Sequence, residues 1–395
     1  MPKNRNRFQQ IILKDLFFKG WVTSSDLSET INKSLPITIK YVNELIEEGL
    51  VEEKGFAPST GGRRPHFYGL KTGEFGVLCV AMDQLITKIA WMDADGELAE
   101  PIEKHSLPLA NNPNSLEQLT DLIENFIKAR QLTRKSIVAI GIGMPGFIDS
   151  KRGLNHSYLS VPTGSIVSYI QNRVQIPVLI DNDSSLIALA ALKWGAAQKK
   201  QNVMVINIGW GVGLGIIANG KLFKGHNGFA GEFSHMPLFD NNKLCGCGKY
   251  GCLETEASLT VVTQKAIERL KNGEPSILEN LSLDDIEGST QKIIEAAKNG
   301  DKFSVEVISE SAYHIGRGIA ILIHLLNPEL VIISGLGANA GKVWVAPIQQ
   351  AINEHCIPKI AEQTEIRVST MGENAELRGA GALVVENYET IEKFS

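Results

Sequence analysis

Between Gly231 and Glu254 the chain reads GEFSHMPLFDNNKLCGCGKYGCLE, placing one imidazole (His235), three thiols (Cys245, Cys247, Cys252) and flanking carboxylates (Glu232, Glu254) in one short span. Thiols this close together need either oxidation or a metal, and in a reducing compartment the metal comes first. Three soft thiolates and an imidazole suit tetrahedral Zn2+. Four protein ligands leave no open position for a catalytic water, so the expected ion is structural. Gly246, Gly248 and Gly251 let the backbone wrap it. Free buried thiols beside an unrelated His are the alternative. A second group of chemical interest is Asp181-Asn182-Asp183, between a strand-like run (IPVLI) and a helix-like run (SSLIALAAL). α/β proteins bind ligands at such strand ends, where Asp183 could act as a general base or simply cap the helix.

The elements that must hold these groups are those of an α/β body. SIVAIGIGMPGFID reads as a buried strand entering a Gly/Pro loop at Gly146, and PELVIISGLGAN as another buried strand. VLCVAMDQLITKIAWMDADGEL reads as two strands with a turn at Asp95-Gly96, and NVMVINIGWGVGLGIIANGKL repeats the β-turn-β pattern. Strands alternating with helices such as SLEQLTDLIENFIKAR imply partly parallel sheets. The repeated hairpin implies two related lobes with a cleft between them. His314 and His324, in the apolar run HIGRGIAILIHLLN, are expected as packed polar residues, and Glu256 as a helix-start carboxylate.

Residues 1–71 have a different texture. Three amphipathic helical patterns (FQQIILKDLFFKG, SDLSETINK, PITIKYVNELIEEG) precede two short apolar runs around a Gly/Arg loop, STGGRRP. That is the pattern of a winged helix-turn-helix, whose third helix reads the DNA major groove. Thr38, Lys40 and Tyr41 near the start of that helix are the expected base readers. Arg63 and Arg64 at the wing tip suit phosphates or a narrow minor groove. The alternative is a helical protein-binding or dimerisation module. Charge agrees with DNA: residues 1–71 hold 11 Lys/Arg against 8 Asp/Glu, and the remainder 28 against 36. The chain's 395 residues suit two or three domains, and no run approaches the ~18 unbroken apolar residues of a membrane span. A basic start without a signal-type apolar core makes a cytoplasmic protein the expectation.

The motif G-E-x-x-H followed by C-x-C-x4-C-L-E, with the body over roughly residues 73–390, resembles the ROK family of sugar kinases and repressors within the actin-like/hexokinase superfamily. Head plus body is similar to the family's repressor branch. The resemblance implies two actin-like/hexokinase-type lobes, residues 72–184 plus 376–395 and residues 185–375, behind a winged head at 1–71. It places sugar hydroxyls on Glu232 and Glu254, and has His235 bind zinc through one nitrogen while presenting the other to the sugar. Asp183 matches the family's catalytic base, with Asn182 and Gly146 beside it at the sugar.

Kinases of the family carry a first phosphate loop D-x-G-G-T and a second G-T-G-x-G. Here they read Asp83-Gln84-Leu85-Ile86-Thr87 and Gly209-Trp210-Gly211-Val212-Gly213. Both glycines of the first and the Thr of the second are lost, although phosphates need close backbone N–H groups. The sequence therefore favours a sugar-responsive repressor, a homodimer or tetramer that binds operator DNA and a monosaccharide or sugar phosphate in the interlobe cleft without enzymatic activity. An active ATP-dependent sugar kinase with an appended head is the alternative. A protein-binding scaffold with a vestigial pocket is the third.

Overall fold

Asn6 starts the first helix, α1 (Arg7–Lys19), through a reciprocal cap with Gln9, and Gly20 closes it at φ 72°. In this computed structural model, which describes residues 5–56, 65–73, 75–161 and 163–391, β1 (Val22–Thr23) follows, then α2 (Ser24–Ile31) with a Thr23/Asp26 capping box. α3 (Leu35–Glu47) carries Pro36 in its first turn, where no intrahelical N–H is needed. β2 (Val51–Phe56) and β3 (His66–Leu70) join β1 in an antiparallel sheet of order β1-β3-β2. Ile12, Leu16, Leu27, Val42 and Leu45 are buried between the three helices.

The chain divides into two units, residues 1–183 with 377–395 and residues 184–376. In the first, the head is followed by β4 (Gly76–Met82), β5 (Ile86–Met92), β6 (Leu98–Ser106), α4 (Ser115–Ala129), β7 (Ile137–Met144), a small hairpin of β8 (Ile148–Asp149) and β9 (Leu154–Asn155), α5 (Ile166–Val174) and β10 (Val178–Asn182). The sheet order is β10-β7-β4-β5-β6, with β7 parallel to both β4 and β10. The stretch expected as two strands is three, because a further turn lies at Asp83. Leu78, Val80, Ile89, Leu119, Ile123, Phe126, Ile142 and Ile170 belong to one apolar cluster beneath it.

The second unit takes up α6 (Asp183–Trp194) after its first residue. It then runs through β11 (Val203–Ile208), β12 (Val212–Ala218), β13 (Lys221–Phe223), α7 (Glu254–Ala257), α8 (Leu259–Lys271), α9 (Ile286–Lys298), α10 (Lys302–Leu326), β14 (Leu330–Ser334), α11 (Val345–His355), α12 (Pro358–Ala361) and β15 (Glu365–Val368). Its sheet order is β13-β12-β11-β14-β15, with β14 parallel to β11 and β15. Numbered from its own first strand, each sheet has the order 3-2-1-4-5, so the two are topological copies. α13 (Ala375–Glu386) and α14 (Tyr388–Ile391) end the described chain in the first unit, where the Glu386 carbonyl accepts from Lys14 Nζ (2.8 Å) and the Tyr388 hydroxyl from Arg5 Nη1 (2.9 Å).

Candidate functional site

The loop after β13 doubles back on itself through two isolated antiparallel bridges, Pro237 with Cys252 and Leu244 with Tyr250. Two glycines make this possible. Gly231 sits at φ 108°, and a Cβ there would lie 2.3 Å from the Leu214 carbonyl oxygen of β12. Gly251, at φ 72°, would meet the Phe239 carbonyl at 1.9 Å. Gly246, expected to help the wrapping, has no positive φ and open space around it.

The fold of this loop brings His235, Cys245, Cys247 and Cys252 together, their ligand atoms all within 4.8 Å of one another. Cys247 Sγ lies 3.7 Å from Cys252 Sγ, and Cys245 Sγ 3.5 Å from His235 Nδ1. A tetrahedron with Zn–S of about 2.3 Å and Zn–N of about 2.0 Å has edges of about 3.8 and 3.5 Å, so these spacings fit zinc. A disulfide needs about 2.05 Å, and the five cysteines are free. Burial, then hydrogen bonding to Cys247 and Cys245, pushes the Cys252 thiol up to about 12. Burial also raises Cys245. Cys247 is lowered: the Lys249 backbone N–H and the neighbouring thiols outweigh its own burial. Three thiolates at this separation ionise together only around a cation.

The acidic groups lie beside this set. His235 turns Nδ1 toward Cys245 and Nε2 toward Glu232 Oε2, 3.8 Å away. Glu254 begins α7, with one carboxylate oxygen 3.9 Å from Cys245 Sγ and the other accepting from Val212 N (3.3 Å) and Ser234 Oγ (3.4 Å). It therefore links the cysteine loop to the end of the turn after β11 through Val212, and it also holds Ser234 of its own loop, which the sequence did not single out. Glu256 lies in the first turn of α7 rather than at its start, and its main partners are cations. It is buried, with Lys243 at 2.7 Å and Lys265 at 3.2 Å, and it accepts from Asn241 Nδ2. Despite the burial, those two lysines hold its carboxyl below the usual range. Nearby, His314 meets the edge of Phe239 (4.8 Å), and burial lowers its pKa. His324 Nε2 accepts from Ile357 N at the start of α12 (3.0 Å).

In the first unit, Asn182 ends β10 and donates from Nδ2 to the Gly146 carbonyl (3.1 Å), so these two expected residues meet. Asp183 is the first residue of α6. The first loop is closed by its own aspartate, since Asp83 Oδ1 accepts from Leu85 N (2.7 Å) and Ile86 N (2.8 Å). Neither residue has positive φ, and Ile86 is 7% exposed. The N–H groups of this loop are thus already bonded to a carboxylate. Trp210 of the second loop is also buried.

On the head, Thr38 is 0% exposed and donates its hydroxyl to the Ser34 carbonyl (3.1 Å). It is a core residue and cannot reach a base edge, which corrects the expectation. Its β-branched shape and short polar tip fit a helix interior once the hydroxyl is satisfied by the preceding turn. Tyr41 is half-buried and stacks on Phe8 (centroids 5.8 Å apart). Lys40 is exposed, 3.9 Å from Glu44. Glu44 also accepts from Gln9 Nε2 (2.8 Å), and Glu48 pairs with Arg5 (3.0 Å), which turns both carboxylates toward α1 and the chain's start. Arg63 and Arg64 lie outside the described residues.

Comparison with known proteins agrees with this arrangement. A glucokinase of Halalkalibacterium halodurans is 31% identical over 315 residues, 78% of this chain and 94% of its own. A xylose repressor of Caldicellulosiruptor bescii is 30% identical over 384 residues, 95% of each chain. A crystal structure of a ROK family transcriptional regulator, a homologue of the E. coli MLC protein, superposes with TM-score 0.78 at 27% identity, covering 98% of this chain and 99% of that one. The ROK family model matches residues 79–387, and the chain belongs to the ROK family.

Proposed function

We propose that this protein is a sugar-responsive, DNA-binding transcriptional regulator, a repressor, that binds a monosaccharide or sugar phosphate without phosphorylating it. The observation that carries this reading is the union of a ROK body with the N-terminal head. The xylose repressor relative runs through 95% of the chain, whereas the glucokinase relative stops short by a share about the size of the head. The head is a winged helix-turn-helix with α3 as its major-groove helix and Lys40 exposed on it; Arg63 and Arg64, outside the described residues, are the phosphate contacts the sequence suggests. Two heads in a homodimer or tetramer read paired half-sites.

Zn2+ is the ion that His235, Cys245, Cys247 and Cys252 would hold. It would fix the loop that offers Glu232, Glu254 and His235 Nε2 to sugar hydroxyls, as second-shell groups fix a ligand. Asn182 and Asp183 supply the first unit's sugar contacts, with Gly146 positioned by Asn182. The sugar acts through its different affinity for DNA-competent and DNA-incompetent states. Asp83's hold on the Leu85 and Ile86 N–H groups supports the absence of phosphoryl transfer. The protein works in the cytoplasm, in keeping with the fact that no helix of the described residues is long and apolar enough to cross a membrane.

The test is selection of bound DNA fragments with and without candidate sugars. A fragment set held at low salt, released steeply by salt and also by one sugar, is the expected result. Binding indifferent to every sugar would end the effector reading. The glucokinase relative and Asp183 at the start of α6 favour a second reading, an active kinase. Robust ADP release over a panel of hexoses and amino sugars would establish it in place of the first.

A further inference from the structure

The outward face of α3 is different from the one its sequence pattern suggests. With Thr38, Val42 and Leu45 buried, the opposite stripe is Pro36, Ile37, Lys40 and Asn43, all exposed. Ile37 is 42% exposed, so the stripe presents an aliphatic side chain to solvent next to Lys40. Leu35, at the helix start, is equally open. At about 1.5 Å per residue, Ile37 to Asn43 spans about 9 Å, the length of two to three base pairs.

We propose that Ile37 reads thymine C5-methyl groups in the major groove, with Lys40 beside it on the same stripe, so that each half-site contains a T·A pair at a fixed position. This rests on the DNA-binding reading of the head and names what that surface recognises. Charge complementarity argues for DNA as the occupant. Lys33, over the Phe8 ring (4.7 Å), and Lys40, 3.9 Å from Glu44, are exposed beside the apolar pair. Glu44 also meets Gln9, Glu48 meets Arg5, and exposed Glu47 lies about two turns beyond Lys40 along the helix, away from Ile37. In the major groove the thymine methyl is the apolar feature of a base edge, and it matches an aliphatic side chain flanked by a cation.

The test uses the full-length protein and the tightest duplex selected from a random library. Each thymine is replaced in turn by deoxyuridine, which removes only the methyl, and affinity is read by fluorescence anisotropy. One position per half-site should lose about fourfold, the worth of one buried carbon. Ile37→Ala should bind the thymine and uracil duplexes equally at that position and keep the salt dependence, and circular dichroism should show it folded. Thymine–uracil indifference at every position would overturn the proposal, as would a difference that survives in Ile37→Ala. The first of these is also what a protein partner on this face would give. If no duplex is selected at all, the DNA reading itself falls, and this proposal with it.

Discussion

The turns after β4 and after β11 occupy the same place in two sheets of the same topology, yet they are closed by different chemistry. After β4, a side chain reinforces the backbone: Asp83 N donates to the Ile86 carbonyl (2.9 Å), and Asp83 Oδ1 takes the N–H groups of Leu85 and Ile86. After β11, the backbone does it: Gly209 N donates to the Gly211 carbonyl (2.9 Å), while Val212 N goes to Glu254. In the first turn a carboxylate stands where an anion would have to bind, and the same donors cannot serve both. In the second, the carboxylate comes from the metal loop, so the turn is joined to the cysteine cluster. The comparison teaches that the first turn satisfies its N–H groups within itself, whereas the second is bonded to the loop that carries the cysteine cluster. The predictions below test that contrast.

Removing the metal should have the largest effect. If His235, Cys245, Cys247 and Cys252 hold zinc as proposed, chelation, or Cys247→Ser, takes away the centre around which the loop carrying Glu232 and Glu254 folds. Structural zinc contributes on the order of 10 kcal/mol of apparent binding free energy in small domains. Calorimetry should show a transition moved down by many degrees, sugar heats lost, and zinc released in step by elemental analysis. A chelated protein that melts and binds sugar unchanged would remove the link between the second turn and the metal loop.

Glycine substitutions separate the cysteine loop from the second turn. Gly231→Ala forces a Cβ against the Leu214 carbonyl at φ 108° and should cost about 2–4 kcal/mol. Gly209→Ala meets nothing nearer than 3.9 Å and needs no positive φ, so it should change stability by less than about 0.5 kcal/mol. Denaturant midpoints decide this. If Gly209→Ala also abolishes sugar response, the second turn still carries a ligand role of its own.

Glu256→Gln tests the anchorage of the metal loop. The carboxyl pairs with Lys243 on the loop and Lys265 on α8, so neutralising it should cost about 1–3 kcal/mol at neutral pH. Its folded pKa lies below that of a free glutamate. The stabilisation is therefore complete above the unfolded value, about 4.3, and is lost as pH falls through the lower folded value. Wild type and Glu256→Gln should converge in stability on acidification through that window. Curves that stay parallel down to pH 3 would show that the charge is not what anchors the loop.

The metal-type set was legible because three Cys and one His in a tight spacing admit few alternatives. The helices of the head were legible from their amphipathic patterns. The phase of α3 was not, because Ile37, Ile39, Val42, Leu45 and Ile46 offer more apolar positions than one stripe can bury, and a Thr in the interior reads as polar. The turn at Asp83 was missed for a related reason. It contains no Gly, Pro or Asn, and its closure depends on one side chain accepting two N–H groups, which only three-dimensional geometry reveals. Glu254's bond to Val212 joins residues 42 positions apart and leaves no local trace.

The smallest effect should come from the last residue of the first turn's motif. Thr87 matches the Thr of the kinase loop D-x-G-G-T, but here it is 0% exposed and its hydroxyl has no hydrogen-bond partner. It stands directly opposite Met82 in the β4–β5 ladder, and cross-strand partners share a face, so the hydroxyl lies beside a fully buried thioether side chain. An unpartnered buried hydroxyl costs about 1–3 kcal/mol, and Val has nearly the same shape. Thr87→Val should therefore raise the denaturant midpoint by an amount worth about 1 kcal/mol, with sugar and DNA binding unchanged. The sign matters more than the size. Stabilisation means that the self-contained turn keeps a polar group for which it has no use. Destabilisation means that the hydroxyl has a partner in solution, and the first turn would then retain more of a ligand-binding loop than Asp83 alone implies.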